Sequence, residues 1–228
     1  MPRIARVVVP GTPHHITQRG NRRQTTFFHE ADYDRYIDLM AKWTHIFHVE
    51  IWAYCLMPNH IHLIAVPPSR SALTSAVAEA HRRYSLFINS RENWRGHLWQ
   101  GRYASYPMDE PHVFRCARYI EMNPVRSGLV KRPDQWKYSS ARAHIFGTDD
   151  KLVKTRPLLQ MAPQWLSFLL DDTDEDIRFR QNETTGRPMG TSGFISTIET
   201  ILNRKLTKQK PGPRRSVLAD YPQSNDSA

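Results

Sequence analysis

The chain has 228 residues, 39% of them hydrophobic, enough for one substantial domain with its own core plus an extension. Lysine and arginine number 32 against 22 acids, a formal charge of +10, so a polyanion is the expected partner. No run approaches the ~20 apolar residues of a membrane span and no apolar signal core opens the chain, while two cysteines, Cys55 and Cys116, are too few for a disulfide framework; a reduced, cytoplasmic protein without a membrane partner is expected.

A polar strand is predicted over 14–19. It runs into Gly20-Asn21-Arg22-Arg23, a turn that with Arg19 carries three cations and reads as a phosphate-contacting loop. A helix follows from about Asp32, its spacing placing Tyr33, Tyr36, Ile37, Met40, Trp43, Thr44 and Phe47 on one buried face. A strand over 49–56 then turns across Met57-Pro58-Asn59 into a second apolar run, His60-Ile61-His62-Leu63-Ile64-Ala65-Val66. Strand alternation sends His60 and His62 to the same face with Cα atoms ~7 Å apart, so both imidazoles can reach one metal ion. Ile61, Leu63 and Ala65 face the other way, and their burial against helices fixes the register.

After Pro67-Pro68 a helix is predicted over 71–89, with Leu73, Val77, Ala80, Tyr84, Phe87 and Ile88 on its apolar face and His81, Arg82 and Arg83 off it. A fourth strand over 97–107, interrupted by Gly101, sets Arg102, Tyr103 and Tyr106 along a nucleic-acid path. The order β-α-β-β-α-β defines an α+β fold of the split ferredoxin-like kind, an antiparallel sheet with helices on one face. Asp109 and Glu110 before Pro111 signal the start of another helix, and Pro124 ends it. On it Tyr119 and Asn123 lie four residues apart, with Arg115 a turn earlier on the same face. This helix is expected to cover the sheet face that carries the histidines.

Farther on, a short helix is predicted from Trp136 to near Gly147. Trp136, interleaved with Arg126, Lys137 and Arg142, suits bases stacking on rings while cations meet phosphates, and equally suits a core anchor. Composition changes from Asp149. Five acids within 171–176 read as a solvated spacer or a self-inhibitory patch, and Gly186-Arg187-Pro188 as a turn. An amphipathic helix over 194–206 presents Phe194, Ile198, Ile201 and Leu202 on one side. A basic, disordered tail follows, in which Lys210, Arg214 and Arg215 grip a nucleic-acid backbone.

The segment Pro58-Asn59-His60-Ile61-His62, with Tyr119-Ile120-Glu121-Met122-Asn123-Pro124-Val125-Arg126-Ser127-Gly128 downstream, resembles the REP-associated tyrosine transposases, relatives of insertion-sequence transposases that act on single-stranded DNA. The stretches 10–23 and Leu98-Trp99-Gln100-Gly101-Arg102-Tyr103 share the likeness, which covers residues 1–147 well and the rest loosely. The resemblance implies a catalytic domain over 1–147 and a C-terminal extension over 148–228. It implies His60 and His62 as a metal pair, Asn123 as the amide that can complete the site, and Tyr119 as the nucleophile. The implied activity is metal-dependent cleavage and rejoining of single-stranded DNA near imperfect REP-type hairpins, with Mg2+ or Mn2+, through a 5′-phosphotyrosine and a free 3′-hydroxyl. Two imidazoles and an amide are softer than magnesium normally takes, so the residues themselves equally allow manganese or zinc. Two other readings stand beside it: a hairpin-binding regulator without chemistry, and a metal phosphodiesterase that uses water. Monomer and homodimer both remain open.

Overall fold

The computed structural model describes residues 5–171 and 185–207. Its four strands, β1 (His14–Arg19), β2 (Glu50–Met57), β3 (His60–Val66) and β4 (Ala104–Pro107), form one antiparallel sheet in the order β2-β3-β1-β4. Helix α1 (Glu30–Ile46) links β1 to β2 and α2 (Arg70–Arg91) links β3 to β4, which completes the expected ferredoxin-like order.

Register sorts the side chains. β1 pairs with β3 so that Thr17 faces His62, Arg19 faces His60 and Ile16 faces Leu63. Because alternate residues point to opposite faces, the histidines share one face with His15, Thr17 and Arg19, and Ile16, Ile61 and Leu63 share the other. The apolar set buries against α1 and α2 around Tyr36, Met40, Tyr54, Leu73 and Tyr84. Each such side chain contributes roughly 1.5–3 kcal/mol, so a one-residue slip, which would reverse the faces, is strongly disfavoured. The histidine face is covered by α3 (Glu110–Glu121), with Cys55, Ile64, Tyr106, Cys116, Ala117, Tyr119 and Ile120 between them. Both cysteines are buried free thiols.

Several boundaries differ from expectation, each for a local reason. Helix α1 begins before Asp32, because that carboxylate accepts the backbone N–H groups of Phe28 and His29 and so caps the first turn from inside. β4 begins at Ala104 and not at His97; Gly101 adopts a left-handed φ of 63°, and only an isolated bridge from Gly20 to Trp99 precedes the strand. His81 lies on the buried side of α2, bonded through Nε2 to the Tyr36 hydroxyl at 2.8 Å. Tyr103 and Tyr106 are buried, so neither lines an open path. Residues 136–140 are not helical: 137–138 form a turn and Ser139 bridges Cys55. Their backbone bonds the edge of β2, Leu56 N–H donating to the Tyr138 carbonyl and Ser140 N–H to that of Tyr54, which covers an otherwise exposed strand edge. Helix α5 (Ala141–Phe146) starts only after it, α4 being a single turn, Asn123–Arg126, that carries Pro124 in its first positions.

Described residues between 156 and 171 pack onto the same core. Helices α6 (Arg156–Leu159) and α7 (Trp165–Leu170) bring Leu158, Trp165 and Leu169 to the histidine side of the sheet. A buried carboxylate ties them to α3: Glu121 accepts from Ser140 Oγ at 2.5 Å, from Trp165 Nε1 at 2.6 Å, and pairs with His144 Nδ1 at 2.7 Å. Met189 bonds β4's far end, and helix α8 (Ser192–Leu202) ends at Asn203 in a left-handed cap, four residues before the expected limit. Its Phe194, Ile198 and Leu202 pack with Val7, Val9 and Leu206, whereas Ile201 is exposed. Asp109 serves two masters here: one oxygen caps α3 by accepting the His112 N–H, and the other accepts the N–H of Thr191, the N-cap of α8. Among the described residues no helix is long and apolar enough to cross a membrane.

Candidate active site

On the covered face, β3 supplies His60 and His62, β1 supplies His15, β4 supplies Tyr106 and α3 lowers Tyr119 onto them. His15 stands opposite Ile64 in the register, which makes His62 its diagonal neighbour and Tyr106 its direct partner across the other edge. The rings meet accordingly. His15 Nε2 lies 3.0 Å from His62 Nδ1 with the two planes stacked at 17°, and His15 Nδ1 bonds the Tyr106 hydroxyl. Tyr119 is edge-on to both imidazoles, its centroid 5.5 Å from that of His62 and 6.3 Å from that of His15. His60 stands at right angles to His62 at 5.0 Å.

Electrostatics follow from burial. Desolvation takes His15 down to about 3 and His62 well below the ordinary imidazole value, the latter reinforced by His60, His15, Arg19 and Arg126. Both rings are therefore neutral near pH 7, the form that ligates metals. His60, half-buried, has its Nδ1 bonded to Asn59 Oδ1 at 2.6 Å. Asn59 Nδ2 in turn donates to the Arg23 carbonyl at 3.0 Å, tying the basic turn to this histidine. That turn is tightly constrained: Arg22 and Arg23 take left-handed φ values of 53° and 61°, and a Cβ on Gly20 would fall 2.3 Å from the Gln24 carbonyl oxygen. Arg126 places its guanidinium 4.8 Å from the Tyr119 ring centroid and also donates to the Tyr119 carbonyl.

Among the described residues no cluster of three or more His, Cys, Asp or Glu side chains is placed to hold a metal. The donors on offer are the imidazoles of His60 and His62, whose Nδ1 atoms bond Asn59 and His15, and the Asn123 carboxamide. Asn123 is 8% exposed and its Nδ2 has no hydrogen-bond partner among the described residues. Imidazole nitrogens and a carboxamide oxygen are donor types that suit a divalent cation.

The other expected contacts are spread around this centre. Arg19 is half-buried beside His60, while Arg22, Arg23, Arg102, Arg126 and Arg142 are exposed. Arg115 is half-buried, its Nε donating to the Pro111 carbonyl at 3.1 Å. Trp136 is half-buried and packs as an anchor against the core: its indole N–H donates to the Leu56 carbonyl and its ring meets Tyr33 and Tyr138 edge-on. Lys210, Arg214 and Arg215 lie outside the described residues, as do the acids after Asp171. Reasoning from sequence missed His15 and Tyr106 as parts of the centre. Alternation in β1 would have found His15 once β1 was placed beside β3.

Fold and site together define a split ferredoxin-like α+β protein that carries paired imidazoles on its sheet beneath a tyrosine-bearing helix. The chain belongs to the transposase family described as IS200-like, whose pattern matches residues 9–123, just over half the chain and every element from β1 to α3. It is similar to a protein of Haemophilus influenzae named as a REP-associated tyrosine transposase, 27% identical over 115 residues that make up 44% of this chain and 65% of the relative. It is also similar to the REP-associated tyrosine transposase of Escherichia coli, 26% identical over 92 residues, 40% of this chain and 53% of the relative. The chain thus spans between half and two thirds of the length of these curated relatives. A solved REP-associated tyrosine transposase bound to a REP hairpin shares the fold, with a TM-score of 0.57 and 20% identity over 66% of this chain and 90% of that one.

Proposed function

We propose that this protein cleaves and rejoins single-stranded DNA beside imperfect hairpins of the REP type, with Tyr119 as the nucleophile. The observation that carries the reading is convergence: β3 and α3, distant in sequence, meet so that the Tyr119 ring sits edge-on to His62 at 5.5 Å. Membership in the transposase family, and a fold shared with a protein solved on a REP hairpin, support it.

The step balances without an external energy source. Tyr119 gives up its phenolic proton and its oxygen attacks phosphorus; the bond from phosphorus to the 3′-oxygen breaks, and that oxygen takes a proton to leave as a free 3′-hydroxyl. A 5′-phosphotyrosine remains. A phenolate, with a parent pKa of about 10, leaves more readily than an alkoxide, so an incoming 3′-hydroxyl can reverse the reaction and rejoin a strand. His60, His62 and Asn123 would hold a divalent cation, Mg2+ or Mn2+, whose charge when bound offsets that of the phosphate oxygens. Arg126 adds a positive charge beside the ring, which favours the phenolate and meets the arriving phosphate. Tyr119 is only 4% exposed, so its phenol must become accessible before a phosphate reaches it. Arg19, Arg22, Arg23, Arg102, Arg115 and Arg142, with the tail cations Lys210, Arg214 and Arg215, contact the DNA backbone.

Tyr119→Phe tests this directly. A radiolabelled hairpin oligonucleotide should no longer become protein-linked, while hairpin binding persists; a surviving adduct in that variant would remove Tyr119 from the role.

A further inference from the structure

We propose that His15 and Tyr106 form a hydrogen-bonded relay that sets the tautomer and ring plane of His62, so that both act as positioning residues for the cation site. This rests on the reading of His60 and His62 as ligands.

Neither residue is available for DNA: both are fully buried, and their polar atoms are directed at one another and at His62. Polar groups buried in this way are costly unless each donor meets an acceptor, so the direction of the bonds is constrained. Between two neutral imidazoles one nitrogen must donate and the other accept. If His62 offers the Nε2 lone pair to a cation, its proton is on Nδ1 and is donated to His15 Nε2. The His15 proton is then on Nδ1 and is donated to the Tyr106 oxygen. In the reverse arrangement Tyr106 donates to His15 Nδ1, His15 Nε2–H donates to His62 Nδ1, and the His62 proton sits on Nε2, where it excludes a cation. Both arrangements hold the same three protons. A bound cation therefore selects the first, and the relay stabilises it by supplying acceptors for the His62 and His15 protons, with the Tyr106 hydroxyl proton turned away from His15.

The two imidazoles, near-parallel at 17° and joined edge to edge through Nε2 and Nδ1, hold the His62 ring in one plane, and Asn59 bonds Nδ1 of His60. Orienting partners of this kind are worth ~10–100-fold in metal affinity.

The test measures Mn2+ binding to the full-length protein without DNA, by electron paramagnetic resonance. His15→Leu, which keeps bulk but removes the acceptor, should weaken Mn2+ binding ~10–100-fold. His15→Gln, whose Oε1 can accept from His62 Nδ1, should bind close to wild type, a rescue that a purely structural role would not produce. Tyr106→Phe removes one hydroxyl and should weaken binding by a smaller factor; it decides the matter if His15→Leu fails to fold. Two-bond 1H–15N spectra of the Mg2+-loaded wild type should show the His62 proton on Nδ1. Folded His15→Leu and Tyr106→Phe proteins that bind Mn2+ as wild type would overturn the relay. A doubly substituted His60→Ala, His62→Ala protein that binds Mn2+ as well as wild type would instead overturn the ligand reading, and the relay with it.

Discussion

Where the sheet meets α1 and α2, the buried contacts are mostly apolar, and where polar atoms there are capped it is singly, Tyr36 by His81 and Tyr84 by the Thr26 carbonyl. Where the same strands meet α3, polar groups come in connected sets: His62, His15 and Tyr106 in one, Glu121 with Ser140, His144 and Trp165 in another. Adjacent residues of one strand supply both faces, Ile16 beside His15 and Leu63 beside His62. The contrast shows a division of labour written at a period of two. One face contributes the hydrophobic stabilisation, and that surplus allows the other to bury groups that are costly on their own.

Substitutions can break the contrast. The largest effect on stability is expected on the polar side. Glu121→Leu leaves the Trp165 N–H and His144 Nδ1 without their buried acceptor, at ~1–3 kcal/mol per group, or about 4 kcal/mol in all. Denaturant titration would measure it, and because Glu121 sits two residues from Tyr119, adduct yield per folded molecule should fall as well. On the apolar side Leu63→Ala should cost about 3 kcal/mol through cavity formation, yet leave adduct yield per folded molecule intact. Equal losses of yield in the two variants would erase the distinction between the faces.

A smaller effect tests the capped imidazoles away from the centre. Burial takes His14 down to about 4, against an opposing bond to the Thr12 carbonyl, and takes His81 down to about 3. An unfolded chain binds these protons below about pH 6.5 while the native one does not, so stability falls as pH drops from there toward 4. Each histidine contributes a loss of ~1.4 kcal/mol per pH unit in that window. His81→Leu should flatten the dependence in pH-resolved thermal melts; an unchanged slope would contradict it.

How much of this was legible beforehand depended on the range of the signal. The shared face of His60 and His62, and the opposite one of Ile61 and Leu63, follow from alternation within one strand and needed no partner. The hydrophobic spacing of α1, and a helix carrying Tyr119, were equally local; the placement of that helix over the histidines came from the order of the elements. His15 was not, because its meeting with His62 depends on the β1–β3 register, which no short stretch encodes. The Glu121 cluster is less legible still, since its partners lie 19, 23 and 44 residues farther along and are joined only when α5 and α7 fold back. Trp136 was ambiguous for a related reason: an aromatic among cations looks the same whether its ring meets bases or, as here, Tyr33 and Tyr138.

The Asp109 carboxylate spans a mechanical junction. Its two oxygens clasp the first turn of the tyrosine helix and the start of the last described helix, while Met189 is stitched to the strand end between them. Loss of that one side chain would therefore uncap both helices at once.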